Sequence, residues 1–259
     1  MTQTDKPTVE TTYPISHHLG ELRKRIVYIA GFWLLAFILC YWKSKYIHEF
    51  VTAPIKPLLS PDASLSMLTL TEGFMTELKI SMLAAIFFSM PFILFQLWRF
   101  IAPGLYKSER RYLVGFVFFA TLLFLAGASF AYYFVFPLGF KFFLSYSGEE
   151  WGMVATLSIA WYLTLVMKLL LAFGIVFELP VVIFFLTKIG LVNTAMLKKY
   201  RKFAVIGIFM LAAVLTPPDI ISQVAMAVPL LFLYEVSIVI TKIFGPKPEK
   251  STDEVDIYK

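Results

Sequence analysis

Three carboxylates occupy positions where the neighbouring residues make a negative charge either costly or conspicuous. Glu178 lies in Phe173-Gly-Ile-Val-Phe-Glu-Leu-Pro180, a stretch that is otherwise apolar. At the centre of a membrane helix an ionised carboxylate costs about 2.5–3.5 kcal/mol or more, so such a residue faces the protein interior or water. Two chemistries fit it: a protonated Glu hydrogen-bonded to a neighbouring helix, and a contact or proton-linked site. Lys168 stands ten residues earlier, about 15 Å along a helix. The two cannot pair directly, and Lys168 is expected to snorkel to the outer interface. Glu21, in His18-Leu-Gly-Glu-Leu-Arg-Lys-Arg25, and Glu109, in Phe100-Ile-Ala-Pro-Gly-Leu-Tyr-Lys-Ser-Glu-Arg-Arg111, are acidic residues set in basic runs. Each has adjacent arginines to pair with. If both face one groove, they offer planar acceptors that match guanidinium groups on a ligand, for which Arg is preferred to Lys because of its bidentate fork.

Other chemistries lack their residues. No phosphate-binding G-x-x-x-x-G-K-[ST] loop, dinucleotide glycine pattern, G-x-S-x-G elbow or His/Cys metal spacing occurs. His17, His18 and His48 form no i, i+4 pair, and Ser81, Ser89 and Ser129 have no histidine at their depth to act as a base. Neither an enzyme nor a cofactor or metal is expected, and the energy for any work comes from a partner or a membrane gradient. Cys40, the single cysteine, excludes an intrachain disulfide and reads as a small core residue.

The elements that must position these residues are membrane helices. Of 259 residues 59% are hydrophobic and 15% charged, against about 45–50% and about 25% in soluble domains. The apolar residues fall in blocks near the roughly 20 residues that match a bilayer core, without the period-2 alternation of barrel strands. Six spans are expected, near Ile26 to Trp42, Ile80 to Trp98, Leu113 to Phe136, Trp161 to Leu186, Phe203 to Leu215 and Ile220 to Ile240, within one domain over 1–245. Residues 246–259 form a charged tail expected to be disordered. Residues 1–20 are polar and the first apolar run comes after Arg23-Lys24-Arg25 with no small-residue cleavage pattern, so that run is expected to stay as a span and not to act as a cleaved signal peptide.

Basic residues set the orientation. They gather in the first segment, the second-to-third and fourth-to-fifth connections and the tail, leaving Lys43, Lys45, Lys56, Lys79, Lys141 and Lys168 for the other side. The positive-inside bias predicts both termini in the cytoplasm. The net charge of +6 therefore describes one face, suited to anionic lipid and not to nucleic acid, because no basic run is interleaved with base-stacking aromatics.

Pro91, Pro180 and Pro229 interrupt the second, fourth and sixth spans, which predicts kinked helices and a concave face. The fifth span, 203–215, is about 20 Å long against a core of about 30 Å. Thr216-Pro-Pro-Asp219 comes at once after it: its prolines end the helix, Asp219 can cap the next one, and Gln223 offers a polar group to a partner helix.

Several motifs, in order along nearly the whole chain, resemble the TatC family, the multi-spanning subunit of the twin-arginine protein translocase. They are His18 to Arg25, Thr52-Ala-Pro54, Gln96 to Arg111, Ala172 to Pro180 and Leu215 to Gln223. The resemblance implies a receptor in the cell membrane that binds twin-arginine signal peptides of folded cargo. It also implies assembly with the single-span subunits TatA and TatB and with further TatC copies, for export driven by the proton gradient. It implies that Glu21, Glu109, Phe100 and Arg23 bind the signal peptide, that Glu178 is the polar residue of the concave face, and that Thr216 and Gln223 lie where partner helices dock. Pro54 and Asp219 would serve the outer cap. One departure from the family pattern is Gly73 after Glu72, where the family often has Pro; this predicts a looser end of the cap. Residue chemistry alone leaves a second reading open, a gradient-driven small-solute transporter with Glu178 as its proton site.

Overall fold

The computed structural model describes residues 15–59, 64–101, 113–145, 156–215 and 220–245. Its helices are α1 (Ile15–Trp42), α2 (Ser44–Thr52), α3 (Glu72–Ile101), α4 (Leu113–Phe130), α5 (Phe136–Leu144), α6 (Ile159–Phe177), α7 (Leu179–Lys188), α8 (Thr194–Leu215) and α9 (Ile220–Phe244). A wide π turn, Ala131–Val135, joins α4 to α5 without ending the helix. The described strands are β1 (Ser64–Ser66) and β2 (Thr156–Ser158), which pair in parallel with Leu65 opposite Leu157.

Five stretches among the described residues are long and apolar enough to cross a bilayer: Leu19–Trp42, Glu72–Phe100, Val114–Leu144, Ile159–Lys188 and Gln223–Phe244. They run past the apolar blocks read from sequence because a helix continues through interfacial residues that composition alone assigns to loops. The expected short fifth span, 203–215, is the second part of a longer helix, α8. Lys198, Lys199, Arg201 and Lys202 in its first turns keep α8 out of the apolar five, yet it packs along α9. Gln223 donates to the Phe209 carbonyl at 3.1 Å and the Tyr234 hydroxyl to the Leu197 carbonyl at 2.8 Å.

Burial obeys the logic of a lipid solvent. Large apolar side chains such as Ile38, Phe118, Val214 and Phe232 point outward, while Ser81, Ser89, Thr187 and Ser237 are fully buried. Three of these hydroxyls donate to the carbonyl one turn earlier, Ser81 to Glu77, Thr187 to Ile183 and Ser237 to Leu233. A hydroxyl that bonds its own helix can enter the packed interior without a partner from another one.

Two glycines decide how closely α4 and α6 approach. A Cβ on Gly127 would lie 2.4 Å from the Phe173 carbonyl oxygen, and one on Gly174 would lie 2.5 Å from the Phe124 ring. Each glycine receives an aromatic residue of the other helix, and Phe124 and Phe173 are fully buried there. Close backbone approach at small residues is the main source of helix adhesion where apolar burial gives no net drive.

The two ends of the bundle differ. At the cap end, α2 lies across the helices with its last carbonyls tied down: the Tyr132 hydroxyl donates to Phe50 O at 2.6 Å and the Tyr162 hydroxyl to Val51 O at 2.9 Å. Beside it Glu72, at the start of α3, accepts four hydrogen bonds. Leu68 N (2.6 Å) and Thr69 N (3.2 Å) donate to Oε2; Ser158 Oγ (2.7 Å) and Ala160 N (2.9 Å) donate to Oε1. Ser158 also caps α6, accepting from Trp161 N at 3.2 Å. One carboxylate therefore sits at the positive ends of two helices, α3 and α6, and closes the β1–β2 pair between them. Instead of the looser cap expected from Gly73, the described residues show the start of α3 bonded in place.

This packing can be tested at two points. Gly127→Ala inserts a methyl against a backbone carbonyl that cannot swing away and should destabilise the folded protein by about 1–3 kcal/mol, whereas Gly207→Ala, with open space around it, should be neutral or stabilising. Equal melting temperatures in detergent for the two variants would refute the close contact. Glu72→Ala should release both chain segments at once, seen as faster amide exchange at Leu68, Thr69 and Ala160, while exposed Glu49→Ala leaves those amides protected. Unchanged protection in Glu72→Ala would mean that the strand pair holds the cap without the carboxylate.

Candidate functional site

The end opposite the cap gathers the start of α1 and of α8 with the ends of α3, α7 and α9. Arg25 on α1 reaches the Gln96 carbonyl on α3 at 3.4 Å; Trp98 of α3 stacks on Phe185 of α7; Phe184 meets the Phe244 ring of α9; and Thr194 of α8 donates to Thr241 of α9 at 3.2 Å. Exposed Arg23, Lys24, Arg99, Lys198, Lys199, Lys202 and Lys242 surround this end. It is the basic end that the sequence predicts, and it holds the acidic residue Glu21.

Glu21 pairs with Arg25, one turn along α1. This is the local pairing that its sequence context allows, but the partner is placed for more than charge balance. Arg25 is 8% exposed, so its guanidinium is clamped between the Glu21 carboxylate and the α3 backbone. Glu21 itself stays part-exposed, its side chain 31% accessible. A buried arginine thus fixes the position of an accessible carboxylate against α3, one turn before Phe100. Phe100 is half-buried at the end of α3, and Arg23 is exposed on α1. Glu109 lies outside the described residues.

Glu178 sits at a break. It ends α6 and begins α7: its N–H bonds Ile175 O at 3.1 Å and its carbonyl accepts Val182 N at 2.9 Å. Pro180 in the first turn of α7 has no N–H to continue the ladder, which explains why the helix is interrupted there and not elsewhere along this span. The side chain is 9% exposed, and its Oε1 is buried with no hydrogen-bond partner among the described residues. A buried polar atom left unsatisfied costs about 1–3 kcal/mol, so this position holds a standing demand for a donor. Lys168 is on the same helix, α6, and exposed.

The remaining sites named from sequence are spread over the other end. Pro54 is half-buried just after α2. Gln223 spends its amide on the Phe209 carbonyl of α8, so it stitches two helices of this chain together. Thr216 and Asp219 lie outside the described residues. Sequence reasoning misses Glu72 as a site, although Thr69-Leu-Thr-Glu72 is a capping-box spacing before an apolar run. Tyr132 and Tyr162 carry no sequence signal, being aromatic residues among many.

Comparison with known proteins agrees with this layout. The family model described as "Sec-independent protein translocase protein (TatC)" matches residues 17–229. A protein of that name from Magnetococcus marinus is 45% identical over 89% of this chain and 84% of its own length, and one from Helicobacter pylori J99 is 44% identical over 92% of each. A crystal structure of the twin-arginine translocase receptor TatC, 38% identical, superposes with a TM-score of 0.78 over 87% of this chain and 98% of its own. An all-α, multi-pass membrane chain with matches of this extent and identity belongs to the TatC family of Sec-independent protein translocase proteins.

Proposed function

We propose that this chain is the receptor core of a twin-arginine translocase, in which the basic end binds the signal peptides of folded cargo. The observation that carries the reading is the Glu21–Arg25–Gln96 arrangement, in which a buried arginine holds a part-exposed carboxylate against the end of α3. A peptide carrying two guanidinium groups finds at Glu21 an acceptor already oriented, with Phe100 beside it for apolar contact and Glu109 as the second carboxylate. Arg23 completes the polar rim and disfavours peptides with further positive charge. The similar solved structure is that of a protein described as a twin-arginine translocase receptor, which supports the same role here.

In this reading α8 crosses the bilayer as a sixth span and the basic end faces the cytoplasm with both termini, as the positive-inside rule requires. The peptide's apolar segment follows its arginines inward to the concave face at Glu178, whose Oε1, without a partner among the described residues, accepts a hydrogen bond from the peptide or from a helix of TatA or TatB. Partner helices, and further copies of this chain, gather near Thr216 and Gln223. Pro54 and Asp219 serve the cap. The proton gradient drives the transfer.

Binding of a fluorescent twin-arginine peptide to the purified protein tests the first step. Arginine should be preferred to lysine at both positions, and Glu21→Gln or Glu109→Gln should shrink that preference by about 1 kcal/mol or more, the scale of one charge-assisted hydrogen bond. Equal binding of the arginine and lysine peptides, untouched by either substitution, would remove both carboxylates from recognition. Glu178→Gln keeps an oxygen acceptor at the same place without the charge, so it should leave peptide binding within about twofold and assembly intact, whereas Glu178→Leu, which removes the acceptor, should lower the yield of complexes with partner helices. An unaltered assembly in Glu178→Leu would show that this oxygen has no role there.

A further inference from the structure

Near the cap end, between the end of α1, α2, α3 and the π turn, the bundle leaves a cavity of about 570 Å³. Its walls include Cys40, Phe50, Leu83, Ala84, Ala128 and Tyr133, and among the described residues no charged side chain faces it. Tyr132, which also lines it, has its hydroxyl committed to the Phe50 carbonyl. Water in such a space would lose most of its hydrogen bonds, and a peptide backbone would find few partners for its N–H and C=O groups. An aliphatic chain meets no such penalty.

The dimensions point the same way. On α3 the lining runs from Ile80 to Phe88, about 12 Å of helix rise. That is under half of the roughly 30 Å core that a spanning partner helix must match, and it suits one leaflet's share of a lipid. The mouth carries the groups that seat a lipid headgroup. Tyr46 lines the cavity, and the Lys43 ammonium lies 5.7 Å from the Tyr46 ring centre and 5.2 Å from that of Trp42. Trp42 is 79% exposed, placed as aromatic residues are at a bilayer interface. Lys45 is exposed on the same turn of chain, and among the described residues neither lysine forms an ion pair. Glu49, one turn after Lys45, leaves these three side chains with a net charge of one positive unit.

We propose that this corner is a binding site for one anionic glycerophospholipid, its acyl chain in the cavity and its phosphate and acidic headgroup against Lys43 and Lys45. The site is separate from the peptide-binding end and from Glu178. Its occupant fills the space between α2 and the α3–α4 pair and so keeps the α1–α2 corner in place.

Native mass spectrometry of the full chain in detergent tests this, with phosphatidylglycerol and phosphatidylcholine of identical acyl chains as probes. One phosphatidylglycerol should be retained, preferred over phosphatidylcholine by about tenfold given two lysines at a charged interface. Lys43→Gln with Lys45→Gln should bring the two lipids near parity. Ala84→Phe should abolish retention of both, and alkylating Cys40, the only cysteine, with a bulky maleimide on the already folded protein should do the same without asking a variant to fold. Equal retention of the two lipids by the unmodified protein, or retention unaffected by both ways of filling the cavity, would overturn the proposal. So would displacement of the lipid by a twin-arginine peptide whose photoreactive apolar segment crosslinks to the cavity wall, because the space would then belong to the peptide.

Discussion

A buried carboxylate is stable as an anion only where donors converge on it, and at Glu72, which is buried, donors from two distant parts of the chain do so. The carboxylate takes backbone N–H groups from the approach to α3 and from the start of α6, together with the Ser158 hydroxyl. The N–H groups at a helix start cannot be satisfied within the helix, and in a poor solvent they need an acceptor. The parallel β1–β2 pair puts Ser66 opposite Ser158, and the bonds from Ser158 and Ala160 to Glu72 set the start of α3 beside that of α6. With α3 and α6 so placed, α2 can be pinned across them by the hydroxyls of Tyr132 and Tyr162, and the lipid-sized cavity beneath α2 takes its shape from that pin.

The middle of the bundle depends on the absence of side chains. Gly127 and Gly174 let α4 and α6 meet backbone to ring, and the contact face of α6 is carried by Phe173, Gly174 and Phe177. Glu178 comes directly after this tightly packed face. The close approach at the two glycines fixes α6 up to Phe177, and Pro180 prevents the helix from continuing unbroken into α7. The carboxylate is therefore held at a fixed point by packing on one side and by a proline on the other, with one oxygen left without a partner among the described residues.

The basic end works through a different balance. Most of its lysines and arginines are exposed, and Arg201 pairs with Glu235 at the surface. Arg25 differs from them: it turns inward to the Gln96 carbonyl and brings Glu21 with it. A TatC-family chain is a component of a protein translocase and not an enzyme. At this end the buried arginine holds one part-exposed carboxylate, Glu21, in place.

Much of this is legible in the amino-acid order because it depends on local chemistry. Apolar blocks specify membrane helices through the length of a bilayer core, basic runs mark one end, and Pro180 marks the break beside Glu178. The motifs from His18 to Gln223 identify the family. What only the tertiary structure decides involves partners far apart in the chain. Glu72 meets Ser158 across 86 positions, Tyr162 meets Val51 across 111, and Arg25 meets Gln96 across 71. A capping-box spacing shows that Glu72 can serve its own helix but not that it also serves α6, and nothing in a run of aromatics tells which hydroxyls will find carbonyls. The extent of α8 escapes for the opposite reason: its first turns are too basic to register as part of a span, yet they are helical and Tyr234 of α9 bonds them at Leu197. Composition and periodicity report the solvent each segment prefers, whereas the pairing of hydrogen-bond donors with acceptors is settled only when the helices meet.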